Sequence, residues 1–90
     1  MSRPIFHLSF PVNNLEESKH FYCSVLGATI GRNNSTWIDI IFFGHQLTLH
    51  ERPEEVLSVE DRGVRHFGVV LDWPQWDELR RRLLREKVAF

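Results

Sequence analysis

His7-Leu8-Ser9-Phe10-Pro11-Val12 and, much later, His66-Phe67-Gly68-Val69-Val70-Leu71 are the two stretches whose comparison decides the fold. Each opens on a His, and in each the apolar residues alternate: Leu8, Phe10 and Val12 in the first, Phe67, Val69 and Leu71 in the second. Successive side chains on a strand point to opposite faces, so both stretches read as strands with one apolar face and the His on the other. A helical pattern follows each strand. Asn14 with Glu17 resembles a capping box, after which Leu15, Ser18, Phe21, Tyr22, Val25 and Leu26 recur at helical spacing up to Gly27. In the second half Asp72 and Pro74 start a helix whose apolar stripe is Trp76, Leu79, Leu83 and Leu84. One supersecondary unit is therefore used twice.

Between the two copies the first unit completes itself. A short strand near Ala28 to Ile30 leads into Gly31-Arg32-Asn33-Asn34-Ser35, which is turn chemistry. Thr36 to Phe43 is β-branched and aromatic enough for a strand, Gly44-His45 makes a tight reversal, and Gln46 to His50 alternates again. The expected fold class is α+β, a single domain over residues 1–90. Paired βαβββ modules form a cupped mixed sheet: a first module at 1–50, a linker at 51–63 and a partial second module at 64–90. The second copy stops at Val88-Ala89-Phe90, which reads as the first residues of a strand. Either the chain is a fragment or it borrows strands from a partner, as in a homodimer.

Bulk properties restrict the function classes. A composition of 42% hydrophobic and 26% charged residues is that of an ordinary globular protein. No apolar run approaches the roughly 20 residues of a membrane helix. The N-terminus lacks a secretory signal pattern and Cys23 is the single cysteine, so a cytoplasmic location is expected. A net charge of −1 offers no global field for nucleic acid or an anionic membrane. The basic cluster Arg80 to Arg82 is matched by Asp77 before Arg81, Glu78 before Arg82 and Arg82 before Glu86, each pair four residues apart, as on a salt-bridged solvent face.

If the modules pair their sheets, His7 and His66 project into one concavity. Two imidazoles aimed at one point suggest a metal: zinc, iron, manganese or nickel all accept neutral imidazole. Thr48 and His50 share a parity in their strand, and Trp37 and Asp39 alternate with Ile38 and Ile40, which makes Trp37, Asp39 and Thr48 pocket-lining residues. His50 reads as a further ligand, a proton-transfer residue or a polar wall. His20 and His45 read as solvent-exposed, and Cys23 as a half-buried helix residue rather than a nucleophile.

The run from His7 to Val12, followed by Asn13-Asn14-Leu15-Glu16-Glu17-Ser18-Lys19-His20-Phe21-Tyr22-Cys23-Ser24-Val25-Leu26-Gly27, resembles the opening of vicinal-oxygen-chelate proteins. That superfamily includes glyoxalase I, extradiol ring-cleaving dioxygenases, fosfomycin-resistance enzymes and bleomycin-resistance proteins. Thr36-Trp37-Ile38-Asp39, Phe43-Gly44-His45-Gln46-Leu47 and Arg65-His66-Phe67-Gly68-Val69 are most similar to small extradiol dioxygenases. The resemblance places metal imidazoles at His7 and His66. It puts Thr48 where glyoxalase I carries a carboxylate, and a Glu on a strand beyond Phe90. It implies a divalent metal, Fe(II) first with Mn(II), Ni(II) or Zn(II) as alternatives, and extradiol cleavage of a catechol-type substrate with His50 moving a proton. A glyoxalase- or fosfomycin-type Lewis-acid enzyme and a metal-free bleomycin-resistance-type binding module are the competing expectations.

Overall fold

Ile38, Ile40, Leu47 and Leu49 alternate along two adjacent strands, and burying their side chains together is what sets the layer order of the molecule. The computed structural model describes residues 3–90. Its sheet has four strands: β1 (His7–Val12), β2 (Thr29–Asn33), β3 (Trp37–Phe42) and β4 (His45–Glu51), in the order β1-β4-β3-β2. β1 runs parallel to β4, while β4 with β3 and β3 with β2 are antiparallel. The core consists of Ile38, Ile40, Leu47 and Leu49 with Val12 and Ala28, and Leu8, Phe10, Leu15, Tyr22, Cys23 and Phe42 pack against it. The helix between β1 and β2 covers this apolar face. The α+β class and the βαβββ order of the first unit agree with the reading of the sequence.

That helix, α1, is regular over Leu15–Lys19 and continues as a π-helix over His20–Val25. The wider turn is evident in the bond from the Leu26 N–H to the Phe21 carbonyl, five residues back. Phe21, which regular helical spacing puts on the buried stripe, ends 39% exposed, while Tyr22 and Cys23 pack on the core. Asn14 does cap the helix, its Oδ1 accepting from the Glu17 N–H at 2.8 Å. The return half of the expected capping box, Glu17 to the Asn14 N–H, is not made; a different first-turn donor, the Leu15 N–H, is taken at 2.8 Å by the carboxylate of Glu51 at the end of β4. A carboxylate at a helix N-terminus satisfies an orphan donor and suits the dipole.

The reversal between β3 and β4 uses Phe43 and Gly44, one residue earlier than expected. Phe42 and His45 are the last pair of the ladder, and both loop residues have positive φ, 52° and 77°. A two-residue hairpin of that type matches the twist of its strands and needs Gly or a tolerated strain at each position. His45 is not simply solvent-exposed, because its Nδ1 accepts from the Phe6 N–H at 3.1 Å.

Beyond β4 the structure departs from the repeat. Residues 66–71 form no strand, and neither do residues 88–90. β1 owes its ladder to β4, the last strand of its own module. Among the described residues no strand follows the second helix that could do the same for residues 66–71, and alternation alone does not hold a strand. The second helix, α2 (Trp73–Arg85), forms as its sequence demands: Asp72 and Gln75 make a full capping box and Pro74 sits in the first turn. Its stripe is only partly covered, with Trp76 and Leu84 exposed.

The charges of α2 also rearrange. Asp77 pairs with Arg81 as expected, and with Arg80 as well. Arg82, expected to pair with Glu78 and Glu86, instead donates from Nε to the Val25 carbonyl at 2.8 Å and from Nη2 to the Ser24 carbonyl at 3.2 Å. Terminal helix carbonyls lack intrahelical partners and carry partial negative charge, so they are acceptors suited to a guanidinium. Replacing Arg82 by Ala should cost about 1–2 kcal/mol and act locally. In hydrogen exchange, α2 amides are expected to lose protection while those of β3 and β4 keep theirs; uniform loss would contradict this role.

Candidate functional site

The face of the sheet opposite α1 is set by register. In β1 the residues that alternate with Leu8, Phe10 and Val12 are His7, Ser9 and Pro11. Their partners on β4 are Gln46, Thr48 and His50, whose partners on β3 are Ile41, Asp39 and Trp37. Directly paired residues share a face. His7, Thr48, His50, Trp37 and Asp39 therefore stand on one polar face.

Its centre is a buried carboxylate. Asp39 is 4% exposed and Thr48 8%. The Thr48 hydroxyl donates to Asp39 Oδ1 at 2.6 Å, and Arg32 Nε donates to Oδ2 at 3.1 Å. The Arg32 guanidinium also lies 5.9 Å from the centre of the Trp37 ring. The Thr48 hydroxyl, then the Arg32 and Gln46 side chains, hold the Asp39 carboxyl below its usual range despite the opposing effect of burial. Thr48, standing where the resemblance puts a carboxylate in glyoxalase I, thus supports a carboxylate on the next strand. Reading the sequence missed Arg32 altogether. Gly31 immediately before it, inside a strand, is the signal that could have found it.

The two imidazoles assigned by the resemblance are placed differently. His7 is exposed at the start of β1. His66 is exposed and lines an open apolar cleft of about 970 Å³ along with Leu8, Phe10, Pro11, Phe67 and Leu79, and His7 is not among that cleft's walls. The rings of Phe10 and Phe67 lie 5.2 Å apart, packing the segment after His66 against the apolar side of β1. The His66 Nδ1 lies 2.9 Å from the Val64 carbonyl, a bond that puts the proton on Nδ1 and leaves Nε2 as the available lone pair. Metal-binding imidazoles are commonly oriented in this way. Among the described residues, no three of His, Cys, Asp and Glu come together as a metal-binding group. By this test of the donors, the side chains present do not complete the three-ligand set that the resemblance implies. Burial pushes the Cys23 thiol up from its ordinary value, which disfavours a nucleophilic thiolate.

Asp39 is a carboxyl held below its unfolded value. Such a group contributes stability above that value and loses it as the pH falls through the folded one. Asn in its place would present an amide N–H₂ or lose an acceptor toward Arg32 or Thr48. Asp39→Asn should cost about 1–3 kcal/mol at neutral pH, and the gap from the parent should narrow as the pH drops below about 4. Denaturant titrations at pH 7 and pH 3 measure both. A gap that does not change with pH would contradict the charged, hydrogen-bonded Asp39.

Residues 5–90 match the family model described as glyoxalase/bleomycin resistance protein/dioxygenase superfamily. No curated protein matches the chain. Among solved structures, a glyoxalase/bleomycin resistance protein/dioxygenase from Alicyclobacillus acidocaldarius is 30% identical with a TM-score of 0.81, the match covering 97% of this chain and 66% of that one. The fosfomycin resistance protein FosX from Listeria monocytogenes, complexed with Mn(II) and sulfate, shares the fold at 18% identity and a TM-score of 0.69, over 99% of this chain and 68% of its own. A lactoylglutathione lyase from Agrobacterium tumefaciens does so at 15% identity and 0.67, over 98% and 73%. This chain thus spans about two-thirds of the length of the first of these structures. No described helix is long and apolar enough to cross a membrane. With the family model covering nearly the whole chain, this protein belongs to the glyoxalase/bleomycin resistance protein/dioxygenase superfamily.

Proposed function

We propose that the chain handles a small oxygen-bearing aromatic molecule on the polar face of its first module, as part of a metal-dependent, dioxygenase-like protein. One observation supports this most: Trp37, Asp39, Thr48 and His50, from two neighbouring strands, stand together on that face. Trp37 supplies an aromatic surface, Asp39 a fixed negative charge, and Thr48 the hydroxyl that orients Asp39. His50 is half-buried and has no hydrogen-bond partner among the described residues, so both ring nitrogens remain open to take or give a proton at a bound hydroxyl. Extradiol cleavage of a catechol is the specific form of this reading.

In that reading His7 and His66 would hold a divalent metal, ferrous iron first, which would supply Lewis acidity when bound. The His66 segment packs on the Phe10 side of β1 and His7 faces the other way, so the two imidazoles do not converge in this arrangement. The freed Nε2 of His66 favours it. FosX is the listerial relative whose structure contains Mn(II), and that supports a divalent metal without choosing the element. Among the described residues no three candidate donors come together, and that observation favours the second reading: a metal-free binding module of the bleomycin-resistance kind, using the same polar face.

Equilibrium dialysis against Fe(II) under anaerobic conditions, with Mn(II) alongside, separates the two. The metal reading expects weak but measurable binding that falls roughly tenfold or more in both His7→Ala and His66→Ala. Unchanged stoichiometry and affinity in the two variants would sink it in favour of the binding module.

A further inference from the structure

The polar face carries a further charged group at its edge, on β2. In the β2–β3 ladder Ile30 pairs with Ile40, but Asn33 pairs with Ile38. Two residues, Gly31 and Arg32, therefore stand opposite one, Asp39. An extra residue of this kind bends a strand and re-aims a side chain. A Cβ on Gly31 would lie 3.3 Å from the Cβ of Asp39, tighter than ordinary contact, so the glycine lets the bulged strand lie close against Asp39. Arg32 then reaches across to Asp39 and lies over Trp37.

The form of this ion pair is informative. A guanidinium whose whole task is to neutralise a buried carboxylate gains most from a two-bond, fork-to-fork contact. Arg32 uses Nε alone, and its side chain is 82% exposed while that of Asp39 is 6% exposed. Both terminal nitrogens have no partner among the described residues. The guanidinium is thus held from behind by Asp39, which Thr48 fixes in turn, and from the side by Trp37, with its outer edge turned to solvent. A planar donor fork already fixed in orientation loses little freedom when it binds a carboxylate.

We propose that Arg32 is the anion-recognition group of the polar face and takes the carboxylate of a small aromatic acid. The assignment rests on the polar face being the ligand face, and it names the substrate class. From the strand of Asp39 to that of His7 is two strand spacings, about 10 Å, a distance that one substituted ring bridges. Asp39 already balances the guanidinium charge, so the negative charge of the ligand is met by the two free donor nitrogens and not by a net positive site; a monoanion is therefore accommodated better than a dianion. Asp39 and Thr48 are positioning residues in this arrangement, acting through Arg32.

The test is calorimetric titration of the 90-residue chain with benzoate, in EDTA, with benzamide as the neutral probe of equal shape. Saturable benzoate binding is expected, with benzamide clearly weaker. Arg32→Gln should weaken benzoate roughly fivefold or more while leaving benzamide unchanged. Arg32→Lys, which keeps the charge but not the fork, should fall between. Arg32 lies on an edge strand with an exposed side chain, and thermal melts of both variants show whether the fold is kept. No saturable binding, equal binding of benzoate by folded Arg32→Gln, or equal binding of benzamide and benzoate would each overturn the assignment. Because EDTA is present throughout, failure of the metal reading leaves this result intact, and failure here leaves the dialysis result intact.

Discussion

The parallel ladder between β1 and β4 is the constraint on which the rest of the molecule depends. Parallel neighbours cannot be joined by a tight turn, so α1, β2 and β3 must all fit between Val12 and His45. The ladder then fixes the faces. With Leu8 opposite Leu47 and Phe10 opposite Leu49, the apolar residues of both strands meet under α1, and His7 and Ser9 join Gln46 and Thr48 on the other side. A slip of one residue would exchange the two faces and expose the core, which is why the pairing is well specified. The bond from Glu51 to the Leu15 N–H extends the same constraint to the helix, because the end of β4 secures the start of α1.

The two faces are stabilised by different physics. Under α1 the gain comes from removing Ile38, Ile40, Leu47 and Leu49 from water, and almost any well-packed apolar set of the same volume would serve. On the other face a carboxylate is buried, and it is tolerable only because the Thr48 hydroxyl and the Arg32 guanidinium bond both of its oxygens. Such an arrangement is costly to build and exacting in geometry. It also leaves the outer edge of the Arg32 guanidinium at the rim of the face, the group proposed to recognise a ligand.

Much of this was legible in the sequence because the relevant signals are local. Alternation along His7–Val12 and Gln46 to His50 follows from one buried face, and Asp72 and Pro74 specify a helix start without tertiary help; the reciprocal bond of Gln75 that completes its capping box was not read. The polar set Trp37, Asp39, Thr48 and His50 followed from parity alone. What was not legible depends on partners. The stretch from His66 to Leu71 has the pattern of β1 but no strand to pair with among the described residues, so its periodicity does not become structure. The π-helical continuation of α1 adds residues to each turn, which a pattern of 3.6 cannot reveal. Gly31 and Arg32 read as a turn because their residue types favour turns. The ladder of β3 instead carries the strand through them and leaves one extra residue as a bulge. Arg82 read as a solvated charge because its acceptors, the carbonyls of Ser24 and Val25, lie on another element.

The central claim is that the face opposite α1, organised around Asp39, is where this protein meets its ligand. Chemical-shift mapping of the backbone amides during titration with benzoate tests it most directly. Shifts are expected to cluster at Arg32, Trp37, Asp39, Thr48 and His50. Shifts confined to Phe10, His66, Phe67 and the apolar cleft around them would place the ligand on the opposite side of the sheet and contradict it.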